Sequence, residues 1–377
     1  MMTQAMPCQR ELFEIPEHVA YLNAAAYVPL PKAVRAAAEQ GVLTKSHPWN
    51  MGRELGNAQS ERARSAAARL LGVSPDDIAI TGAVSYGIAT AARNLRITPG
   101  SRVLMIEGEF PSLALVWPEL AAAAGAVVEV VPRPADHDWT AALLAAIERP
   151  GAPPVGLAAL TPTHWSDGAV IDLVAVTAAL HRQGSRIVID ATQSTGVLHL
   201  DIATLKPDFM AFPTYKWVLG PYSLAFLYVA PEHQGGRPLE DHGPARSGAD
   251  YIPTARRFDR GERNDPIGLP MAAVGLEQVL EWDRDALQAR LRGLTDALAE
   301  EVSGMQGLSI LPRALRAPHV LGVRFAGGMP AGLVERLMAR DVHVADRQGV
   351  LRVSPHVYND LPDVARFGAA LRAELGD

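Results

Sequence analysis

Lys216, within Ala211-Phe-Pro-Thr-Tyr-Lys-Trp-Val-Leu-Gly220, is one of only four lysines in a chain with thirty-one arginines. Arginine stays protonated and forms no imine, so little of this positive charge is available for amine chemistry. Lys216 alone among the lysines (Lys32, Lys45, Lys206 and Lys216) has a mainly apolar setting, with an aromatic on each side and Gly220-Pro221 following. Such a setting lowers an ammonium's pKa and makes the amine a nucleophile for carbonyl carbon. The competing reading is a lysine whose stem snorkels along apolar surface at a strand end.

Five further stretches weigh on that choice. Asp190 closes the apolar run Arg186-Ile-Val-Ile-Asp190 and opens Ala191-Thr-Gln-Ser-Thr-Gly196. A carboxylate there either caps a helix or meets a positive partner such as a ring nitrogen. Thr81-Gly-Ala-Val-Ser-Tyr-Gly87 leaves a strand and starts a helix, where backbone N–H groups and the Ser85 hydroxyl form an anion site, or Ser85 simply caps. Glu107-Gly-Glu-Phe-Pro-Ser112 places Phe110 at another strand end, as a core residue or as a face for a flat ring. Thr161-Pro-Thr-His-Trp-Ser-Asp-Gly168 does the same for His164 and Trp165. Arg352, in Gly349-Val-Leu-Arg-Val-Ser-Pro-His356, lies in an apolar strand, where its fork needs an internal acid or a ligand carboxylate. An imine-forming lysine, an anion-binding helix start, a stacking aromatic, a ring-nitrogen acid and a carboxylate-binding arginine together match pyridoxal phosphate handling an amino acid.

Elements that could position these groups are visible as periodicity. Between about residues 76 and 230, apolar runs recur at 77–81, 101–107, 126–132, 154–161, 186–190, 208–212 and 223–229. They are continuous and not alternating, as strands buried on both faces are. Ala/Leu-rich stretches at 82–95, 112–124, 140–146 and 173–183 separate them with helical spacing. The pattern predicts an α/β fold with a mainly parallel seven-stranded sheet covered by helices, whose ligands gather at the strands' carboxyl ends. Residues 231–266 lose periodicity and read as a functional loop. A long helix over 269–302 then leads to a smaller α+β domain, with strands at 308–311, 320–325 and 350–354 and helices near 331–340 and 361–375. The domains expected are 20–265, binding the cofactor, and 1–19 with 266–377.

Composition excludes several classes. A net charge of -6 argues against a nucleic-acid footprint, and no apolar run reaches the roughly 20 residues of a membrane span. One cysteine, Cys8, provides neither a disulfide framework nor a multi-cysteine metal site, so no metal is expected. Residues 1–16 have no charged-then-apolar leader pattern, and the default location is cytoplasmic. The glycine fingerprints of dinucleotide and P-loop sites are absent.

From Tyr21-Leu-Asn-Ala-Ala-Ala-Tyr27 to Tyr358-Asn359 the chain resembles the class V aminotransferase family of fold-type I pyridoxal-phosphate enzymes, which includes isopenicillin N epimerase-like proteins, kynureninases and cysteine desulfurases. The stretches Val188–Gly196, Tyr215-Lys-Trp with Gly220-Pro221, and Leu351–Asn359 carry the likeness most specifically. The resemblance implies that Lys216 holds the cofactor as an internal aldimine and shuttles the substrate's α-proton, and that Asp190 keeps the pyridine nitrogen protonated. It also implies Gln193 near the phenolic oxygen, Val84, Ser85 and Tyr215 at the phosphate, and Phe110 stacked on the ring. Arg352 would grip the substrate carboxylate with Asn23 nearby, and His164 with Trp165 and Trp49 would give the pocket an aromatic lining. A homodimer with a shared site is implied, the stretch 257–265 reaching the neighbouring phosphate. Asn264 and Asp265 stand there in place of the usual Thr or Asn, and an Asp would repel a phosphate. Ala345-Asp-Arg-Gln-Gly349 lacks the cysteine a desulfurase needs shortly before the arginine strand. The expected activity is transamination of an amino acid; a lyase, a kynureninase-like hydrolase or an epimerase are alternatives on the same scaffold. A non-catalytic cofactor-binding regulator is a more distant one.

Overall fold

The structure, a computed structural model, describes residues 5–376; the first four residues of the segment read for a leader lie outside it. The chain opens with β1 (Ala20–Tyr21), α1 (Lys32–Ser46) and α2 (Arg53–Leu71). Strand and helix then alternate through β2 (Ile78–Thr81), α3 (Val84–Asn94), β3 (Arg102–Ile106), α4 (Pro111–Ala114), α5 (Trp117–Ala124) and β4 (Val127–Val131). The alternation continues through α6 (Trp139–Ile147), β5 (Val155–Leu160), α7 (Leu173–Arg182), β6 (Arg186–Asp190), α8 (Ile202–Leu205), β7 (Phe209–Pro213) and β8 (Ala225–Val229). A short hairpin, β9 (Arg246–Ser247) and β10 (Asp250–Tyr251), precedes α9 (Gly268–Glu281) and α10 (Arg284–Ser303). The remainder is β11 (Leu308–Ile310), β12 (Leu321–Phe325), α11 (Leu333–Met338), β13 (Val342–His343), β14 (Ala345–Arg347), β15 (Val350–Val353) and α12 (Leu361–Leu375).

The chain forms two compact units. The larger comprises Val34–Pro162 and Ile171–Leu280; the smaller comprises the chain up to Ala33, Thr163–Val170 and everything from Glu281 onward.

In the larger unit seven strands form one sheet in the order β2-β8-β7-β6-β5-β3-β4. All neighbours are parallel except at β8, which runs against both β2 and β7. Every residue of β2, β3, β7 and β8 is buried, which is why these runs are continuously apolar. On one face Val84, Ile88 and Ala91 of α3 pack with Leu157, Val188, Phe209 and Leu227. The edge strand β2 is also held by charge. Arg64 of α2 and Asp259, both fully buried, form a bidentate pair, while Asp259 Oδ1 accepts the Ile80 N–H at 2.8 Å. Removing either partner of such a pair would leave an uncompensated buried charge. The pair locks the strand that ends at Thr81.

In the smaller unit four antiparallel strands lie in the order β11-β12-β15-β14, and β1 pairs in parallel with β13. Leu298 and Val302 of α10 and Phe367 and Leu371 of α12 share a core with Leu22, Leu321 and Val353. The long helix expected over 269–302 is two helices. Asp283 breaks it by accepting the Ala286 N–H as the N-cap of α10. The stretch expected as one helix over 112–124 is likewise α4 and α5.

Candidate active site

Lys216 lies in the loop from β7 to β8 of the larger unit, with a relative exposure of 9%. Thr214 holds the base of this loop. Its N–H donates to Leu224 O, its hydroxyl lies against Pro221 O and Leu224 O, and its carbonyl accepts the Gly220 N–H at 2.7 Å. Leu219 (φ 62°) and Ser223 (φ 58°) adopt left-handed backbone, a conformation that costs a side-chain-bearing residue roughly 1–3 kcal/mol and clusters at functional sites. Two glycines let neighbouring backbone approach. A Cβ on Gly196 would stand 2.5 Å from Trp217 O, and one on Gly275 of α9 would stand 2.6 Å from Val218 O. The amine is therefore presented by a fixed, strained loop. Its Nζ lies 5.4 Å from the Tyr215 ring centre, and Tyr215 stacks on Tyr222 at 4.3 Å.

Asp190 ends β6 and is buried. Thr192 N–H donates to its Oδ1 at 2.9 Å. Burial raises its pKa above the usual carboxylate value; the hydrogen bonds from Thr192 and the charge of Lys216 oppose that rise. A buried acid under this tension is one that gains from a cationic N–H partner. Three residues on, Gln193 accepts the Trp217 indole N–H at 2.8 Å, joining the Asp190 turn to the Lys216 loop.

Glu109, beside Phe110 in sequence, faces the same region. Its Oε1 accepts the Phe110 N–H at 2.7 Å, and its Oε2 is enclosed with no hydrogen-bond partner. Burial, and then the negative charge of Asp190, push this carboxyl up to about 8. No local pattern marks Glu109, because its meaning depends on a strand end eighty residues away. Phe110 itself is 42% exposed.

The turn after β2 starts α3 with Ala83 as N-cap, and no side chain accepts a hydrogen bond there. The alternative reading of Ser85 as the cap is therefore incorrect; Ser85 stands exposed in the first turn. A helix start without a side-chain acceptor leaves its first N–H groups, those of Val84 and Ser85, for an external anion.

In the smaller unit, Arg352 of β15 is 2% exposed and donates through Nη1 to Trp165 O at 2.7 Å. Its Nε and Nη2 are buried without a partner. Burial, and then Arg347, pull this guanidinium down to about 9. Two unpaired donors in one plane form a receptor for a carboxylate. Asn23 bridges to Ser354, two residues beyond Arg352, and its Oδ1 is likewise buried and unpaired. His164 is fully buried; its Nδ1 meets Ser166 Oγ at 2.9 Å, and its ring stacks with Trp165 at 6.4 Å. Asp167, bonded to Arg324, completes this loop. In this arrangement His164 organises the backbone that Arg352 binds.

Other candidates are engaged elsewhere. Trp49 is 77% exposed, edge-on to His47. Asn264 accepts from Ser60 Oγ, and Asp265 accepts the Ile267 N–H at the start of α9. Asp208, Glu232 and His233 lie close together, but Asp208 is already bound by Arg186, His233 and the Ile187 N–H, a structural junction. Cys8 points its thiol at the Tyr358 and Asn359 carbonyls.

Set against known proteins, residues 20–368 match the family model "Aminotransferase class-V". The chain is 27% identical to isopenicillin N epimerase of Amycolatopsis lactamdurans, covering 99% of each chain. It is 26% identical to kynureninase of Burkholderia mallei (strain SAVP1), covering 88% of this chain and 83% of that one. Among solved structures it is similar to the cysteine desulfurase CsdA of Escherichia coli, with a TM-score of 0.83, 22% identity and 97% coverage of both chains.

Proposed function

From the premise that the chain belongs to the class V aminotransferase family, we propose that it transfers the amino group of an amino acid. The family is pyridoxal-phosphate-dependent, and the residues around Lys216 fit that cofactor: a helix start lacking a cap acceptor, a partly exposed aromatic side chain and a buried acid held against its burial. When bound, pyridoxal phosphate supplies an electron sink for charge released at the substrate's α-carbon.

The chain's own residues would act as follows. The Val84 and Ser85 N–H groups and Tyr215 bind the phosphate. Phe110 covers one ring face. Asp190 accepts the ring N–H and keeps that proton in place, and Gln193 meets the phenolic oxygen. Lys216 would be the attachment point, and its Nζ would take the α-proton from the substrate and deliver it to the carbonyl-derived carbon of the cofactor. Arg352 holds the substrate carboxylate by Nε and Nη2, with Asn23 beside it and His164 maintaining the loop whose carbonyl fixes Nη1. The partly unpaired, buried fork of Arg352 carries the reading, because an arginine costs much to bury and gains most from a planar carboxylate.

Persulfide-forming desulfuration lacks support. The segment before Arg352 is a tight hairpin turning at Gln348 (φ 57°) and Gly349 (φ 78°), with no cysteine-bearing loop. Both turn residues have the positive φ of a two-residue hairpin. A homodimeric, cytoplasmic enzyme belongs to the same proposal; no helix among the described residues is long and apolar enough to cross a membrane.

A panel of amino acids, with and without an acceptor keto acid, tests the reading. Keto-acid product only in the presence of acceptor is the expected result, and Lys216→Ala should abolish the borohydride-reducible link to the cofactor. Product without acceptor identifies a lyase or hydrolase, and α-proton exchange without keto acid identifies an epimerase. A colourless protein that cannot be reconstituted overturns the proposal.

A further inference from the structure

We infer that Trp217 is a positioning residue, whose indole N–H fixes the Gln193 carboxamide so that its NH2 end is the one offered to the phenolic oxygen of the cofactor. The inference rests on the cofactor reading above and deepens it.

An indole nitrogen only donates, and a carboxamide has one accepting end and one donating end. The 2.8 Å bond from Trp217 Nε1 therefore occupies the oxygen of Gln193 and leaves the NH2 group as the other end. Trp217 is 1% exposed and Gln193 3%. Turning the amide over would bury two donors face to face, which disfavours the flipped form by roughly 10- to 100-fold. The indole is itself fixed: its residue's carbonyl lies where a Cβ on Gly196 would sit, and the next residue's carbonyl packs against Gly275.

The pair adjoins, in sequence, the two residues that would hold the cofactor's nitrogen and its carbonyl carbon. Gln193 is three residues after Asp190, and Trp217 is the residue after Lys216. In pyridoxal phosphate the phenolic oxygen stands beside the carbon that a lysine amine binds, across the ring from the nitrogen. A donor at that oxygen favours its anionic form and so lowers the affinity of the neighbouring Lys216 nitrogen for a proton. An acceptor there would do the opposite. Trp217 thus sets the sign of the contact without touching the cofactor.

The test is the pH titration of the visible absorption band of the reconstituted protein. Trp217→Phe keeps an aromatic side chain and removes the N–H, so the titration should move up by about one pH unit, the scale of one hydrogen bond. Gln193→Met should move it similarly, and Trp217→Phe added to Gln193→Met should move it no further. Gln193→Glu keeps the indole bond but presents an acceptor, and should shift the titration further than Gln193→Met; this comparison stands even if Trp217→Phe does not fold. A titration unmoved by Trp217→Phe, an equal shift in the Gln193→Met background, or matching Gln193→Glu and Gln193→Met curves would overturn the role of Trp217. A wild-type protein with no visible band would overturn the cofactor reading itself.

Discussion

Replacing Glu109 with glutamine should stabilise the protein freed of cofactor, and the gain should grow with pH. The carboxyl is raised from 4.5 to about 8, first by burial and then by Asp190, against the Phe110 N–H that favours the anion. A carboxyl raised on folding is one for which the folded state keeps a proton that the unfolded chain has released. Stability then falls as pH climbs from 4.5 toward 8, and the lost part is fully lost above that range. With these two values the folded state is penalised by about 2 kcal/mol at pH 6 and about 4.6 kcal/mol at pH 8.5. Glu109→Gln retains an oxygen for the Phe110 N–H and cannot ionise. The gap between variant and wild type should therefore widen by about 2.5 kcal/mol from pH 6 to 8.5. Urea unfolding followed by tryptophan fluorescence at the two pH values measures it. A gap that is the same at both would refute the assignment of a neutral acid beside Asp190.

Gly275→Ala pushes a methyl into Val218 O and the Leu219 backbone, none of which is a side chain that can swing away. It should cost roughly 1–3 kcal/mol as overpacking, and cofactor affinity, measured by reconstitution, should fall more than the unfolding midpoint suggests. His356 is buried, and the Val357 N–H points at its Nδ1, so a proton there has no room. Burial and then His319 bring its pKa down to about 3 from 6.5. The unfolded chain takes up that proton first, so this contribution is intact above pH 6.5 and is lost as pH falls toward 3. Thermal or urea unfolding should show about 2 kcal/mol less stability at pH 5 than at pH 8 from this residue, and His356→Phe should remove that slope.

The seven-stranded sheet was legible because strands buried on both faces leave apolar runs that no exposed element needs. Lys216 and Asp190 stand out as candidates because a lone lysine in an apolar stretch and an acid ending a buried strand both break the local pattern. The division between α9 and α10 was not, since helical spacing continues across it and only the capping geometry of Asp283 shows the break. Helices α1 and α2 leave no apolar run in the sequence, and α2 is rich in arginine and alanine. Glu109 and the Gln193–Trp217 bond could not be read at all. Each depends on two segments remote in sequence meeting at the carboxyl edge of the sheet.

The place of β2 has a consequence for how the chain is made. Among the described residues this strand has β8 as its only neighbour in the sheet, although more than half of the larger unit is synthesised between them. The N-terminal β1 likewise waits for β13, and Asn23 for Ser354. During synthesis these early segments thus wait for partners made much later, leaving strand edges open on the ribosome. The turn that would grip the phosphate hangs from β2. Vitamin-derived cofactor can therefore be captured only once β8 has been made, and a nascent chain stalled before residue 225 should carry none.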